Sequence, residues 1–449
     1  MKRLQFPLNA CDYLLLSIHK VMEMEGQVGG STLIVMDVDG ELEPDRLRRA
    51  LDRAMNAHPS TKASLQYGRW SGRPVWRVSD VSPDVSAAAF DYDDLRDAPD
   101  WSERLRGLRE RRYGIPTGLE RGPQMHLDLY ALPGGRSQVC MRWPHALTDG
   151  EGAQWFINEI SRCAEDGDSR TTTGLLPDTE NADALVSRSF LERLRLTVKG
   201  LKAFGANQNI TSKSLNSGSM ASITGLRLHH KAFGPEEFTK IRANARATCP
   251  RGSGILGRYL AGCVIRSLHR LYTANGIDTE MYLLTLPITV RAPGPRAVPG
   301  NYLVWMLPYV RRDRVEDARA LAADLHEQWT RFLDNEMPLA HWAVFRLLGH
   351  MRAGQYFKLM KRLSGISTCA SGFSYVGEIR PAIRALLGAR VVNVWGATPQ
   401  PAPPGWNTGF YRFGDRLNFS LTWLQGYVPD PLAEEFASLI EHEAVCGPP

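Results

Sequence analysis

Two apolar periods, one of about 3.6 residues and one of two, alternate along this chain on both sides of a polar stretch between residues 166 and 222. Each half must therefore bury helix stripes against sheet faces, which points to an α+β architecture in two parts. In the first half "STLIVMDVDG" reads as a strand, and "ELEPDRLRRALDRAMNAHP" follows it at helical spacing. Leu47, Leu51, Ala54 and Met55 make the apolar face of that helix, and Pro59 stops it. "RPVWRVSD" and a charged amphipathic stretch from Trp101 to Tyr113 come next. "QMHLDLYAL" and "SQVCMRWPHAL" then alternate as strands about a Pro133-Gly134-Gly135 turn, and helical spacing returns in "GAQWFINEISRCAE".

From Asp166 to Ala184 the composition turns to Gly, Ser, Thr, Asp and Pro, and a second polar stretch runs from Gly205 to Ser222. A helix-like patch, Phe190 to Ala203, lies between them. The expected organisation is an N-terminal lobe (1–185), a linker with one helix (186–222) and a C-terminal lobe (223–449). In the last, "GLRLHHKAFG", "MYLLTLPITVR" and "YLVWMLPYV" read as strands. "PEEFTKIRANARA", "GILGRYLAGCVIRSLHRLYTANG", "VEDARALAADLHEQWTRFLDNE" and "PLAEEFASLIEHEA" read as helices. "GFYRFGDRLNFSLTWLQG" reads as a hairpin turned at Gly414-Asp415. The similar grammar of the halves suggests a duplicated architecture.

Composition narrows the class. With 43% hydrophobic and 23% charged residues in 449, the chain is neither disordered, collagen-like nor a coiled-coil rod. Mean hydropathy is −0.27, and no apolar run approaches the roughly 18 residues a spanning helix needs. The start "MKRLQFPLNACDYLLLSIHK" is broken by Asn9, Asp12 and Ser17, unlike a signal peptide, so a cytoplasmic protein is expected. The seven cysteines are scattered without C-x-x-C spacing, as befits buried thiols. A net charge of +6 and a pI near 8.9 are too mild for a nucleic-acid binder.

Chemistry concentrates in "MRWPHALTDGEGAQWF". His145 ends an apolar strand, where its ring can face a cavity, and its ordinary pKa near 6.5 lets it accept a proton from a hydroxyl or amine. Asp149, four residues on, is held by the turn and suits an arginine partner better than the imidazole. Gly150 permits close backbone approach, and its N–H at a helix start can meet a developing oxyanion. The bland alternative is a histidine capping a strand beside an ordinary Asp-Gly turn.

Four segments, in order, resemble the chloramphenicol acetyltransferase-like superfamily of CoA- and carrier-protein-dependent acyltransferases. "LRRALDRAMNAHPS" resembles its helix ending in His-Pro, and "HALTDGEGAQWF" its His-x-x-x-Asp-Gly motif. "LPITVRAPGPRAVPGNY" resembles its strand-Arg-loop-Gly-Asn segment, and "SGFSYVGEI" its crossover strand. The resemblance implies two lobes meeting in a V with an active-site tunnel at their junction, and a segment after about Ser374 crossing back to the first lobe. It implies His145 as general base with Gly150 beside it, and a structural Asp149–Arg291 salt bridge. Ser374, Tyr375 and Asn301 are implied as substrate-binding. It also implies a freestanding monomer with a small-molecule acceptor, needing no metal or resident cofactor, with acyl-CoA or an acyl-carrier thioester as co-substrate.

The departures carry information. Condensation domains usually have two consecutive histidines; here Pro144 replaces the first, which favours O- or N-acyl transfer over peptide-bond formation. Gly152, two after the motif glycine, resembles the CoA-using branches, and the plant-type Asp-Phe-Gly-Trp-Gly motif is absent. A carrier-dependent condensing or cyclising enzyme and a silent docking protein are the alternatives. No H-E-x-x-H, G-x-S-x-G or phosphate-loop motif occurs, and His229-His230, neighbours on a strand, face opposite sides and cannot share an ion. The basic clusters "RGLRERR", "YVRRDR" and "KLMKR" read as solvated faces or as a landing area for CoA phosphates.

Overall fold

The computed structural model describes residues 5–27, 30–78, 88–116, 118–165, 183–207, 212–214, 218–291, 300–364, 369–379 and 383–448. Most of the first polar stretch, 166–182, lies outside them, as do 208–211 and 215–217 of the linker. In the N-terminal half the order is β1 (Gln5–Pro7), α1 (Ala10–Met24), β2 (Ser31–Asp39), α2 (Pro44–Ala57), β3 (Ser64–Tyr67), β4 (Pro74–Arg77) and β5 (Phe90–Asp94). Then come α3 (Trp101–Tyr113), β6 (His126–Leu132), β7 (Arg136–Pro144) and α4 (Gly150–Glu165). The helix α5 (Phe190–Asn207) follows. The C-terminal half begins with β8 (Gly225–Phe233), α6 (Pro235–Thr248), α7 (Ile255–Ala274), β9 (Met281–Thr289), β10 (Leu303–Met306) and β11 (Tyr309–Arg311). It continues with α8 (Ala318–Asp334), α9 (Met337–Leu348), α10 (Ala353–Ser364), β12 (Ser371–Glu378), β13 (Ala385–Leu386), β14 (Ala389–Ala397), β15 (Trp406–Phe413), β16 (Arg416–Gln425) and α11 (Asp430–Cys446).

The strands form two principal sheets. One runs β13-β14-β2-β7-β6-β5; the other runs β10-β9-β12-β15-β16-β8, with β11 also on β9. A small sheet, β1-β4-β3, stands apart. Late in the chain β14 leaves the second lobe and pairs antiparallel with β2 of the first, from Arg390 opposite Asp39 to Ala397 opposite Leu33. Then β15 returns to lie parallel to β12.

That crossing explains why β2 reads as an unbroken apolar run. Ile34 and Met36 enter a core with the helices of the first lobe, whereas Leu33 and Val35 enter a core with residues of the second. A strand covered on both faces loses its alternation. The joint is also tied by polar groups: Ser420 Oγ donates to the Gly396 carbonyl at 2.8 Å, and Asn393 and Asn418 exchange amide hydrogen bonds at 3.0 and 2.9 Å.

Most of the predicted elements form. Leu47, Leu51, Ala54 and Met55 are all buried on α2. The turn between β6 and β7 uses Gly134 and Gly135 at φ of 76° and 67°, a left-handed pair that glycine adopts without strain. The expected single strand "YLVWMLPYV" is two, because Pro308 cannot donate to the β9 ladder. His229 pairs with Glu441, while His230 turns to the other face and stacks on Trp395 at 3.9 Å. Six cysteines are buried and Cys446 is exposed.

Candidate active site

His145 is the first residue after β7, whose register with β2 sets Pro144 opposite Ser31. The backbone then turns through 146–149 into α4. Asp149 caps that helix: its Oδ1 accepts from the Gly152 N–H at 3.0 Å, and its carbonyl accepts from the Ala153 N–H. The same carboxylate receives Arg291 Nη2 on both oxygens, at 3.0 and 2.8 Å. Arg291 stands just past the end of β9, with its guanidinium 4.6 Å from the centre of the Tyr302 ring. Asp149 and Arg291 are separated by 142 residues in sequence and joined in one buried ion pair across the lobes.

The segment Gly300-Asn301-Tyr302 closes over this turn. Thr148 Oγ1 accepts from the Gly300 N–H at 3.1 Å, and the Trp143 indole N–H donates to the Thr148 carbonyl at 2.9 Å. Asn301 Nδ2 donates to the carbonyl of His145 at 2.7 Å and to Asp12 Oδ1 at 2.8 Å, while the Asn301 backbone N–H also donates to Asp12 Oδ1 at 2.8 Å. Asp12 comes from α1, where Oδ2 accepts from the Asn9 N–H in a capping box. The main chain at His145 is thus fixed by a relay, Asp12 to Asn301 to the His145 carbonyl, that draws on three separate segments.

Burial sets the protonation states. Desolvation pushes the His145 imidazole below its ordinary value, against the opposing pull of its own carbonyl and the Asp149 charge, so the ring is neutral at pH 7. Its Nδ1 is buried and has no hydrogen-bond partner of good geometry among the described residues. Desolvation likewise raises the Asp12 carboxyl to about 7, with the Asn301 and Asn9 donors holding it down.

Sequence reasoning passed over Asp12, although the Asn9-x-x-Asp12 spacing of a capping box was there to be read. Asn301, expected to bind substrate, is completely buried; its Nδ2 is taken by Asp12 and the His145 carbonyl, while its Oδ1 has no hydrogen-bond partner among the described residues. Ser374 is half-buried opposite Gly409, on the sheet face that carries Tyr411 into the core shared with the first lobe. Tyr375, one residue on, points the other way. It packs on Gly257 of α7 and lines a separate cavity of about 60 Å³ with Arg258, Leu325 and Trp329, because successive strand residues face opposite sides. Above Gly150 a Cβ would meet nothing nearer than Gln154 Nε2 at 4.0 Å, so the approach to the start of α4 is open.

The arginines of "YVRRDR" are each paired with a carboxylate, and in "RGLRERR" Arg112 is. Arg112 pairs with Asp93, Arg311 with Asp313, Arg312 with Asp278 and Arg314 with Asp324. The side chains of Lys361 and Arg362 in "KLMKR" lie outside the described residues, as does the loop 292–299 after Arg291.

Replacing Asp12 by asparagine gives a measurable signature. A carboxyl whose folded pKa lies near 7 and unfolded pKa near 4 binds more protons when folded, so its contribution to stability declines as pH rises from about 4 to about 7. The wild-type minus Asp12→Asn difference in unfolding free energy should therefore fall across that window. Urea denaturation at a series of pH values would read it, and a flat difference would contradict the buried, proton-retaining carboxyl.

Neither a protein-family model nor a curated protein matches the sequence. Solved structures do match the whole chain. The first condensation domain of the calcium-dependent antibiotic synthetase superposes with a TM-score of 0.72 at 17% identity, over 99% of this chain and 97% of that one. Trichothecene 15-O-acetyltransferase from Fusarium sporotrichioides gives 0.73 at 10% identity, over 99% and 96%. The starter condensation domain of rhizomide synthetase, solved with C8-CoA, gives 0.65 at 14%, over 98% and 95%. The chain therefore has the two-lobed fold of these condensation domains and this acetyltransferase over nearly its whole length.

Proposed function

We propose that this protein is a freestanding acyltransferase that moves an acyl group from a thioester, acyl-CoA in preference to a carrier-bound one, to a hydroxyl or amine. The observation that carries the reading is a neutral histidine clamped through its own carbonyl by Asn301, beside a helix start held by the Asp149–Arg291 pair. In the reaction His145 Nε2 takes the acceptor proton as the acceptor oxygen or nitrogen attacks the thioester carbonyl. The carbonyl π electrons move onto oxygen, where the N–H at Gly150, with Ser374 on the facing sheet, stabilises the charge. Collapse breaks the C–S bond, and the imidazolium returns its proton to the leaving thiolate. The ester or amide and the free thiol are the products, and no covalent enzyme intermediate is required. The trichothecene acetyltransferase and the starter domain solved with C8-CoA among the neighbours support this reading. A carrier-dependent condensation is the second reading, favoured by the likeness to the antibiotic synthetase domain.

The test offers one acyl group on CoA, on pantetheine and on a carrier protein, and follows the thiol released. CoA is expected to exceed pantetheine in kcat/KM by about tenfold or more, on the order of 1.4 kcal/mol of nucleotide recognition. Discharge of the carrier-bound thioester alone would overturn the CoA assignment, and discharge of none would overturn the activity. The depressed histidine sets a further expectation. A base is active when deprotonated, so lowering its pKa moves the acid limb of the kcat/KM profile below about pH 6.5. A limb at or above that value would assign the base elsewhere.

A further inference from the structure

The helix α5 is amphipathic in an unusual sense. Its inner side is clear: Leu196 is buried, and at Gly200 a Cβ would lie 2.4 Å from the Ala340 carbonyl oxygen and 2.7 Å from Val344, so α5 lies tight on α9. On the opposite side Phe190, Leu191, Leu194, Val198 and Leu201 are 70%, 74%, 51%, 45% and 47% exposed. At about 100° per residue these five fall within one arc of roughly 100°, a continuous apolar stripe turned to solvent. Five large side chains 45–74% uncovered amount to roughly a few hundred Å² of apolar surface, the size at which such patches mark interaction sites.

Charge runs along the stripe. Between residues 188 and 207 the chain has five cations, Arg188, Arg193, Arg195, Lys199 and Lys202, against one acid, Glu192. Going round the helix, Lys202, Arg195 and Lys199 follow directly on the edge of the stripe at Leu191. Glu336 takes Arg188 and Arg195, and Lys199 reaches the Asn335 carbonyl, so the cations are held at the stripe's border. Eighteen residues give a helix about 27 Å long, with an apolar face, a basic flank and its remaining side docked on the protein. None of the described helices is long and apolar enough to cross a membrane, and an apolar stripe flanked by cations is the pattern of helices that lie in a membrane surface.

We propose that α5 docks the protein onto an anionic membrane surface, its apolar stripe among the headgroups and acyl chain ends and its basic flank against lipid phosphates. The proposal goes beyond the acyl-transfer reading and stands without it. It would bring a lipid-dissolved acceptor or acyl donor to the same surface as the enzyme.

Co-sedimentation of the full chain with phosphatidylcholine vesicles, with and without phosphatidylglycerol, tests it without any thioester. Partitioning to the anionic vesicles is expected to exceed that to neutral ones by about tenfold and to weaken as salt rises. The double variant Leu194→Ser/Val198→Ser, at exposed positions that leave the fold intact, should reduce partitioning at least about tenfold. Lys199→Gln/Lys202→Gln should reduce it several-fold and flatten the salt dependence. Absence of vesicle binding, or binding that the serine variant leaves unchanged, would overturn the proposal. So would a wild-type dimer in light scattering that the serine variant converts to monomer, since the stripe would then be a contact between copies of this chain. Binding of an acidic carrier protein through the stripe, with no vesicle binding, would overturn it equally.

Discussion

Replacing His145 by alanine should reduce acyl transfer by about 100- to 10,000-fold, the usual worth of a positioned general base. The loss should appear in kcat, because in the proposed reaction the imidazole acts on a proton that moves only as the bond forms. Stability should change little at neutral pH, where a ring with a depressed pKa is uncharged in the folded chain and its burial carries no charge-desolvation cost. Thermal unfolding and initial rates on one preparation separate the two effects. A well-folded variant turning over within tenfold of wild type would remove His145 from the mechanism. Asn301→Ala offers a graded companion. It leaves the imidazole in place but frees the His145 carbonyl and takes the Nδ2 donor from Asp12, which keeps the backbone N–H groups of residues 301 and 9, so both turnover and stability should fall.

The Asp149–Arg291 pair should show the reverse emphasis. Either alanine variant takes the main partner from a buried charge, at a cost of up to about 3–5 kcal/mol, with Arg291 keeping Glu151 at 3.5 Å and the Gly300 carbonyl when Asp149 is removed. Asp149→Ala also uncaps α4 at Gly152, so it should be the worse of the two by about 1 kcal/mol. The double variant should cost less than the sum of the singles, because the second substitution removes the stranded charge. Urea midpoints for the four proteins close the cycle, and additive costs would mean that the two groups do not stabilise one another. Loss of activity in the single variants should follow loss of folded protein, which distinguishes this pair from His145.

Local pattern made much of the architecture legible. The heptad-like spacing of Leu47, Leu51, Ala54 and Met55, the Gly-Gly turn at 134–135 and the two-residue loop at Gly414-Asp415 each specify their element through short-range sterics and burial of one face. The helices α9 and α10 escaped notice, although in α10 buried Ala353 and Tyr356 alternate with exposed Gly354, Gln355 and Lys358 at a spacing that was there to be read. In α9 the buried run from Ala340 to Phe345 has no polar face to mark a period.

At the site the division is sharper. The sequence by itself placed His145 at a strand end, Asp149-Gly150 at a helix start and Arg291 after a strand, since each depends on a few neighbouring residues. Tertiary structure decided what these residues do together. It brought Arg291 onto Asp149 across 142 positions, and it set Asp12 of α1 under Asn301 and Asn301 under His145. It also turned Ser374 toward the first lobe and Tyr375 away from it. Desolvation is likewise a property of the assembled molecule. Neither the neutral state of His145 nor the raised carboxyl of Asp12 can be read from a residue type, because both arise when the two lobes close around them and exclude water.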